Sequence, residues 1–462
     1  MTRLKRPASP RDWLASLAIL FAALLALLPT AQAQGLIRDA EIEEILRDYT
    51  DPILVAAGLQ PDDVGLYIIQ DPSLNAFVAN GQRIHLFTGL IIASETPEQL
   101  MGVIAHEAGH ITGAHGARRA RDMQIAARPA YVSIGLGILA LAAGEGEAGA
   151  ALIASSQQFA ALNFFVHTRV QEASADQAAV RFLEGAGISP RGLIEFFEKY
   201  RYQEVLSQAR RFEYFRTHPL SSDRIQSLRN AGEKTTSWDT PSAPKAVAQL
   251  EIMQAKLIGW TQSPGHVLRE YPLSDETVPA KYARAINAYR NSDIGTALRN
   301  MDELIAIEPE NPYFLELKAQ ILIEVGRNEE AIAPAQQAVE LSDGHPLIRV
   351  LLAQALIGRG EDGDFTRAED ELRAALRVEP DNVFAWDHLS RALAKQGRVA
   401  EAEVATAELA YAIGDLQRAN IFAGRAMKDL EAGTPLWIRA SDIQAATDPR
   451  LPENAWAYRQ RR

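Results

Sequence analysis

The sequence predicts an α+β chain that is mostly helical, with a mixed amino-terminal domain holding a small sheet and an α-solenoid after it. Three observations predict this. Short runs rich in Val, Ile, Tyr and Phe at Val64–Gln70 and Gln82–Phe87 alternate with turn-formers and helical stretches. A helix opening at Thr96 carries His106 and His110, four residues apart. Beyond Ala246, small residues recur at a spacing close to 34 residues.

Composition sets the bounds. The chain has 462 residues, 47% apolar and 23% charged, which excludes a largely disordered chain and leaves room for more than one core. A net charge of −12 argues against a general nucleic-acid binder, which needs a basic surface to displace counterions. There are no cysteines, so disulfides, thiolate metal sites and cysteine nucleophiles are excluded together. Residues 1–33 read as a secretory signal peptide: Arg3, Lys5, Arg6 and Arg11, then an apolar stretch from Trp13 to Leu28, then Ala31-Gln32-Ala33 with cleavage after Ala33. The expected compartment is the periplasm of a bacterial envelope.

The mixed domain is expected over 34–235. Polar Glu233–Pro244, with two prolines, reads as a linker, so 236–280 is taken as linker and leading helix. In the second half Ala285, Ala319, Ala353 and Ser390 each precede a turn position by seven residues, at Ser292, Gly326, Gly360 and Gly397. Ala297, Ala331, Ala368 and Ala402 follow, spaced by 34, 37 and 34 residues. Helix pairs with small residues at their crossings resemble the tetratricopeptide repeat, over 281–432, and such solenoids bind polypeptide segments. Ala407–Leu430 reads as a degenerate pair or cap, and 433–462 as a tail without a legible pattern.

The chemistry lies in His106-Glu107-Ala108-Gly109-His110. Thr96, Pro97 and Gln99 form a helix start of N-cap, N1 proline and reciprocal third residue. On that helix the two imidazoles point the same way and can grip one ion, while Glu107 lies about 100° round, within reach of a water rather than the ion. A hydrolytic zinc needs a third protein ligand and an open position. His115 is one candidate, near the metzincin spacing but one residue early; a continuing helix would turn it about 180° from His106, which makes it a poor ligand and a residue expected to pack or to stand behind the ligands. Glu172, on the helical stretch Thr168–Leu183, is the other. Asp176 lies one turn on, placed to accept the free ring N–H of a liganding imidazole.

HEAGH, the downstream Glu172-Ala-Ser-Ala-Asp176 with Arg169 before it, and Thr217-His218-Pro219 with Arg224 resemble the zinc peptidases that include the HtpX heat-shock proteases and the CAAX prenyl endopeptidases. The resemblance implies a zincin-type metallopeptidase domain holding one Zn2+ on His106, His110 and Glu172, with Glu107 as base. Asp176 and Arg224 would sit behind the ligands. It implies that Asn75, Ala76 and Phe77, followed by Ile84–Gly89, form a strand edge beside the cleft, where an extended polypeptide substrate would pair. His218 has two readings, an oxyanion stabiliser or a loop histidine that fills the open position and keeps the site latent. Ala108-Gly109 in place of the commoner Leu-Gly, and one acidic residue fewer within the ExxxD, depart mildly from the family pattern.

The expected function is zinc-dependent endopeptidase activity in envelope quality control, probing misassembled outer-membrane proteins, with the repeats docking substrate or the outer-membrane assembly machinery. The rival is a chaperone or scaffold acting through its repeats. Residues 130–168 carry only Glu145 and Glu147 as charges between Ala130 and His167. Within them Ala130–Gly144 is too short to span a bilayer and the glycines weaken any helix, so the segment is expected to form a mobile apolar flap near the cleft, able to touch a membrane surface or an unfolded substrate. His85, His167, His266, His345 and His388 show no partner spacing.

Overall fold

The computed structural model describes residues 35–79, 81–116, 128–136, 138–139, 146–206, 218, 220–448 and 450. The signal-peptide reading of 1–33, together with Thr217, Pro219 and 451–462, lies outside them.

The expected strands form, two residues or fewer from their predicted bounds. Strands β1 (Leu36–Ile37), β2 (Gly65–Ile69), β3 (Ala76–Ala79) and β4 (Arg83–Phe87) build one sheet in the order β1-β2-β4-β3. β2 and β4 run parallel, while β1 and β3 pair antiparallel to their neighbours. Alternation sends Ile68, Ile84 and Leu86 inward. There they meet α1 (Ala40–Ala56) and α3 (Pro97–Thr112), with α2 (Thr88–Ala93) linking sheet to α3.

Helix α3 is enclosed on almost every side, from Leu100 through Gly109. Its start differs from the expected reciprocal cap. Pro97 holds the first position, but the Thr96 side chain makes no capping bond, and Gln99 Oε1 reaches one residue further back to accept from Glu95 N–H at 2.9 Å. Two glycines let other helices come close. A Cβ at Gly102 would stand 2.6 Å from Leu193 Cβ in α5 (Arg191–Leu206), and one at Gly109 would stand 2.8 Å from the Ala175 carbonyl oxygen. Ala175 belongs to α4 (Gly146–Gly185), a helix of 40 residues. The ExxxD stretch expected over Thr168–Leu183 is thus the end of a longer rod.

The described part of 130–168 is helical, and Ser133 Oγ donates to the Leu152 carbonyl at 2.6 Å. Tyr131, Val132, Leu136, Ile138 and Leu139 are exposed. Among the described residues no helix is long and apolar enough to cross a membrane.

The stretch read as a linker is stapled down. After α6 (Ser222–Gly232), Ser189 Oγ donates to the Trp238 carbonyl at 2.6 Å and Ser242 Oγ to Glu98 Oε2 at 2.6 Å. Helix α7 (Pro244–Thr261) puts Ala246, Leu250, Met253 and Leu257 into the same core as α1 and α3, and Tyr49 Oη donates to the Ala246 carbonyl. Its other side, Ala255 and Ile258, packs with Ala283. Lys256 of α7 is buried, 2.8 Å from Asp39 Oδ1 and 3.1 Å from Glu41 Oε2, and Tyr282 donates to the same Glu41 oxygen at 3.0 Å.

After α8 (Pro264–Glu270) come the paired helices: α9 (Val278–Arg290), α10 (Ile294–Ile307), α11 (Pro312–Glu324), α12 (Asn328–Leu341), α13 (Pro346–Arg359), α14 (Asp364–Val378), α15 (Val383–Lys395) and α16 (Val399–Ala412). Ala285, Ala297, Ala319, Ala331, Ala353 and Ala368 are fully buried at the crossings. The turn positions Ser292, Gly326, Gly360 and Gly397 all have positive φ, between 63° and 79°. The solenoid continues past the expected end at 432: Ala419, Ala423 and Ala426 of α17 (Leu416–Asp429) pack with Ala440 and Ile443 of α18 (Pro435–Ala446).

Candidate metal centre

Helix periodicity on α3 sets His106 and His110 on one face, with Nε2 atoms 3.1 Å apart. Helix α4 crosses α3 at Gly109 and delivers Glu172, whose oxygens lie 3.4 Å from each of those nitrogens. His218 enters from the segment before α6. Its Nδ1 lies 3.3 Å from His106 Nε2, and 3.2 and 3.1 Å from the two Glu172 oxygens. One ligand atom from each of the four residues falls within 4.8 Å of all the others. His106, Glu172 and His218 are buried.

These spacings fit one ion. Four ligands at about 2.0–2.2 Å in a tetrahedron stand about 3.3–3.6 Å from one another, close to the 3.1–3.4 Å separations just given. The donor set, three imidazoles and one carboxylate without sulfur, suits zinc.

The surroundings orient the donors. His106 Nδ1 faces Asp176 Oδ1 at 3.0 Å, which turns Nε2 to the cluster. Arg224 grips Asp176 through Nε and Nη2, both at 2.8 Å, and reaches Glu172 Oε2 with Nη1 at 3.0 Å. Phe197 lies under the Arg224 guanidinium, 5.7 Å from ring centre to Cζ, and meets His106 edge-on. Charge follows the geometry. Burial alone would keep His106 neutral, but Asp176 and Glu172 outweigh it and lift the imidazole to about 10. Burial and the neighbouring His106 drive His110 down to about 2. Glu172 is buried too, yet His218 and His106 hold it well below the usual carboxylate range. Such a pocket of carboxylates attracts a positive charge to its centre.

Glu107 stands apart from this set. Both its oxygens are buried and without a hydrogen-bond partner, His218 Nε2 is 3.7 Å away, and burial pushes its carboxyl up. It is a buried carboxylate beside the cluster, with His218 as its nearest cationic partner.

All five residues named first from the sequence, His106, Glu107, His110, Glu172 and His218, therefore meet. Asp176 and Arg224 lie directly behind. Asn75, Ala76 and Phe77 fall at the outer strand β3, with Asn75 just before it accepting the Phe87 N–H at 3.1 Å. The expected edge needs one correction: β4 is an inner strand, flanked by β2 and β3, so β3 alone forms that margin. His115 lies outside the ligand cluster and packs behind His110, as expected, but by another route. Helix α3 ends at Thr112, and Gly113 followed by Ala114 at φ 49° turns the chain back, so His115 Nδ1 comes to 2.9 Å from His110 Nδ1. Gly113 was the available signal, since a Cβ there would strike the His115 ring.

Comparison with known proteins agrees. Residues 37–231 match the model of peptidase family M48. The amino-terminal domain is an M48 metallopeptidase. Residues 282–346 and 353–418 match the tetratricopeptide repeat, which places repeats directly after the M48 domain. The chain is 26% identical over 375 residues to the beta-barrel assembly-enhancing protease of Escherichia coli, covering 80% of this chain and 75% of that one. A putative beta-barrel assembly-enhancing protease of Vibrio cholerae is 24% identical, covering 91% of this chain and 85% of that one. The mitochondrial metalloendopeptidase OMA1 of Schizosaccharomyces pombe is 25% identical over 176 residues, 38% of this chain and 49% of that one, similar to the M48 domain's extent. The zinc cofactor expected from the sequence fits the M48 domain and its His-His-Glu-His cluster.

Proposed function

We propose that the chain is a periplasmic zinc endopeptidase that removes misassembled outer-membrane polypeptides, in which His106, His110 and Glu172 hold the metal and His218 closes it off at rest. The observation that carries this is the convergence of four ligand atoms beside the buried Glu107 carboxylate. Zinc, when bound, supplies a Lewis acid toward the scissile carbonyl and an acidified water. Glu107 accepts the proton of the attacking water and returns it to the leaving nitrogen. Its burial, by raising its proton affinity, suits both transfers. Asp176 and Arg224 keep His106 in the right tautomer and hold Glu172 in place.

His218 favours the latency reading over the oxyanion reading because its Nδ1 sits in the ligand set, close to Glu172 and His106. The substrate pairs as an added strand along β3, and the repeats hold the polypeptide or the assembly machinery that presents it. The names of the Escherichia coli and Vibrio cholerae relatives support the barrel-assembly setting. The exposed apolar side chains of 131–139 would rest on a membrane surface. The test is casein digestion by the purified full chain alongside metal analysis. We expect one zinc per chain, loss of cleavage with chelator, and a fall of about 10²–10⁴-fold in Glu107→Gln with zinc retained. The closed ligand set also gives a second reading, a scaffold acting through its repeats, and Glu107→Gln that preserves envelope function would establish it.

A further inference from the structure

The outward face of the sheet carries a row of rings that the metal centre does not use. Tyr67, His85 and Phe77 occupy directly paired positions on β2, β4 and β3. The Tyr67 and His85 ring centres are 5.1 Å apart with planes at 18°, and those of His85 and Phe77 are 4.7 Å apart at 8°. Ile68, Ile84 and Leu86, their strand neighbours, point the other way into the core. The row starts below the Arg83 guanidinium, 5.9 Å from the Tyr67 ring centre, and ends at Phe77. Phe77 is half-buried, and among the described residues β3 has β4 as its one strand partner. Burial lowers the His85 pKa, which favours the neutral ring in the stack.

We infer that Phe77 sets specificity by stacking: a polypeptide strand added along β3 is preferred when it places an aromatic side chain opposite Phe77, as the fourth ring of the row. This rests on the strand-addition reading above. Side chains of an added strand alternate between faces, so every second one lies beside the row, and directly opposed positions on neighbouring strands hold their Cβ atoms about 4.5–5.5 Å apart. An offset-stacked ring fits that separation and continues the 4.7–5.1 Å steps already present. A leucine fills similar space but offers no ring face. The occupant is therefore an extended segment with alternate aromatic residues.

Binding measured on the full-length Glu107→Gln chain tests it without turnover. Two twelve-residue probe peptides carry either Phe or Leu at every second position, with Thr between. The Phe peptide should bind about three- to tenfold more tightly. Phe77→Leu should remove that preference and Phe77→Tyr should keep it. His85→Leu, which breaks the row one ring further in, should narrow it and serves if Phe77→Leu does not fold. Equal binding of the two peptides, or a Phe preference that survives both leucine variants, overturns the inference. The protease reading is judged separately by Glu107-dependent casein cleavage. Cleavage without ring preference sinks only the stacking inference, and ring preference without cleavage sinks only the protease reading.

Discussion

His218 Nδ1 lies 3.1 Å from Glu172 Oε2, the separation of two neighbours around a single cation rather than of a ligand and a group across an open cleft. On the latency reading proposed above, His218 stands where substrate must enter, and its displacement is the step that arms the site.

Replacing His218 therefore separates two roles. If it closes the site nine-tenths of the time, His218→Ala should raise casein cleavage by about tenfold, since apparent activity scales with the open fraction. Zinc content should stay at one per chain. A fall in cleavage with unchanged zinc would instead assign it to the oxyanion.

Asp176→Asn removes the carboxylate that faces His106 Nδ1 at 3.0 Å while keeping its size. Zinc affinity should weaken by about 10–100-fold, read by competition with a chelator of known affinity. Arg224 keeps its contact with Glu172, so the helices should remain packed.

Gly109→Ala tests the close crossing of α3 and α4. The added Cβ would meet the Ala175 carbonyl oxygen at 2.8 Å, which is backbone and cannot swing away. Overpacking of this kind costs about 1–3 kcal/mol, so the melting temperature should drop, and zinc should be lost because Glu172 moves with α4 away from both histidines.

Lys256→Met leaves buried Glu41, and half-buried Asp39, without their cation. The loss should be about 3–5 kcal/mol in chemical denaturation. Because Tyr282 of the first repeat helix donates to the same Glu41, the transitions of both halves should shift together. Independent transitions, with only one shifted, would contradict that coupling.

Much of the site was legible because its signals are local. Two histidines one helical turn apart and a carboxylate pair one turn apart state their own geometry, and the repeat alanines and αL turn positions state theirs. Bringing α4 to α3 was not local. It depends on Gly109 and on which helix fills the space it leaves, and a single sequence does not pair those surfaces. His115 stays outside the ligands as expected, but its path to His110 was not legible: the helix was assumed to continue past Thr112, and the reversal at Gly113-Ala114 was not foreseen. Glu233–Pro244 looked like a tether because it is polar and proline-bearing, yet Trp238 and the serines around it bind it to the domain. The inner place of β4 also escaped, since strand order is a property of the whole sheet.

Ala40, at the start of the helix beneath the sheet, is wholly enclosed and belongs to the same apolar cluster as Ala319 and Leu352 of the solenoid, while Arg38 beside it bridges to Glu379 at 2.9 Å. The two family-sized segments are consequently not modules to be cut and swapped. A chimera that exchanges the repeats must carry its own version of residues 38–44 and of Lys256, or it will leave an oily, charged scar on each piece.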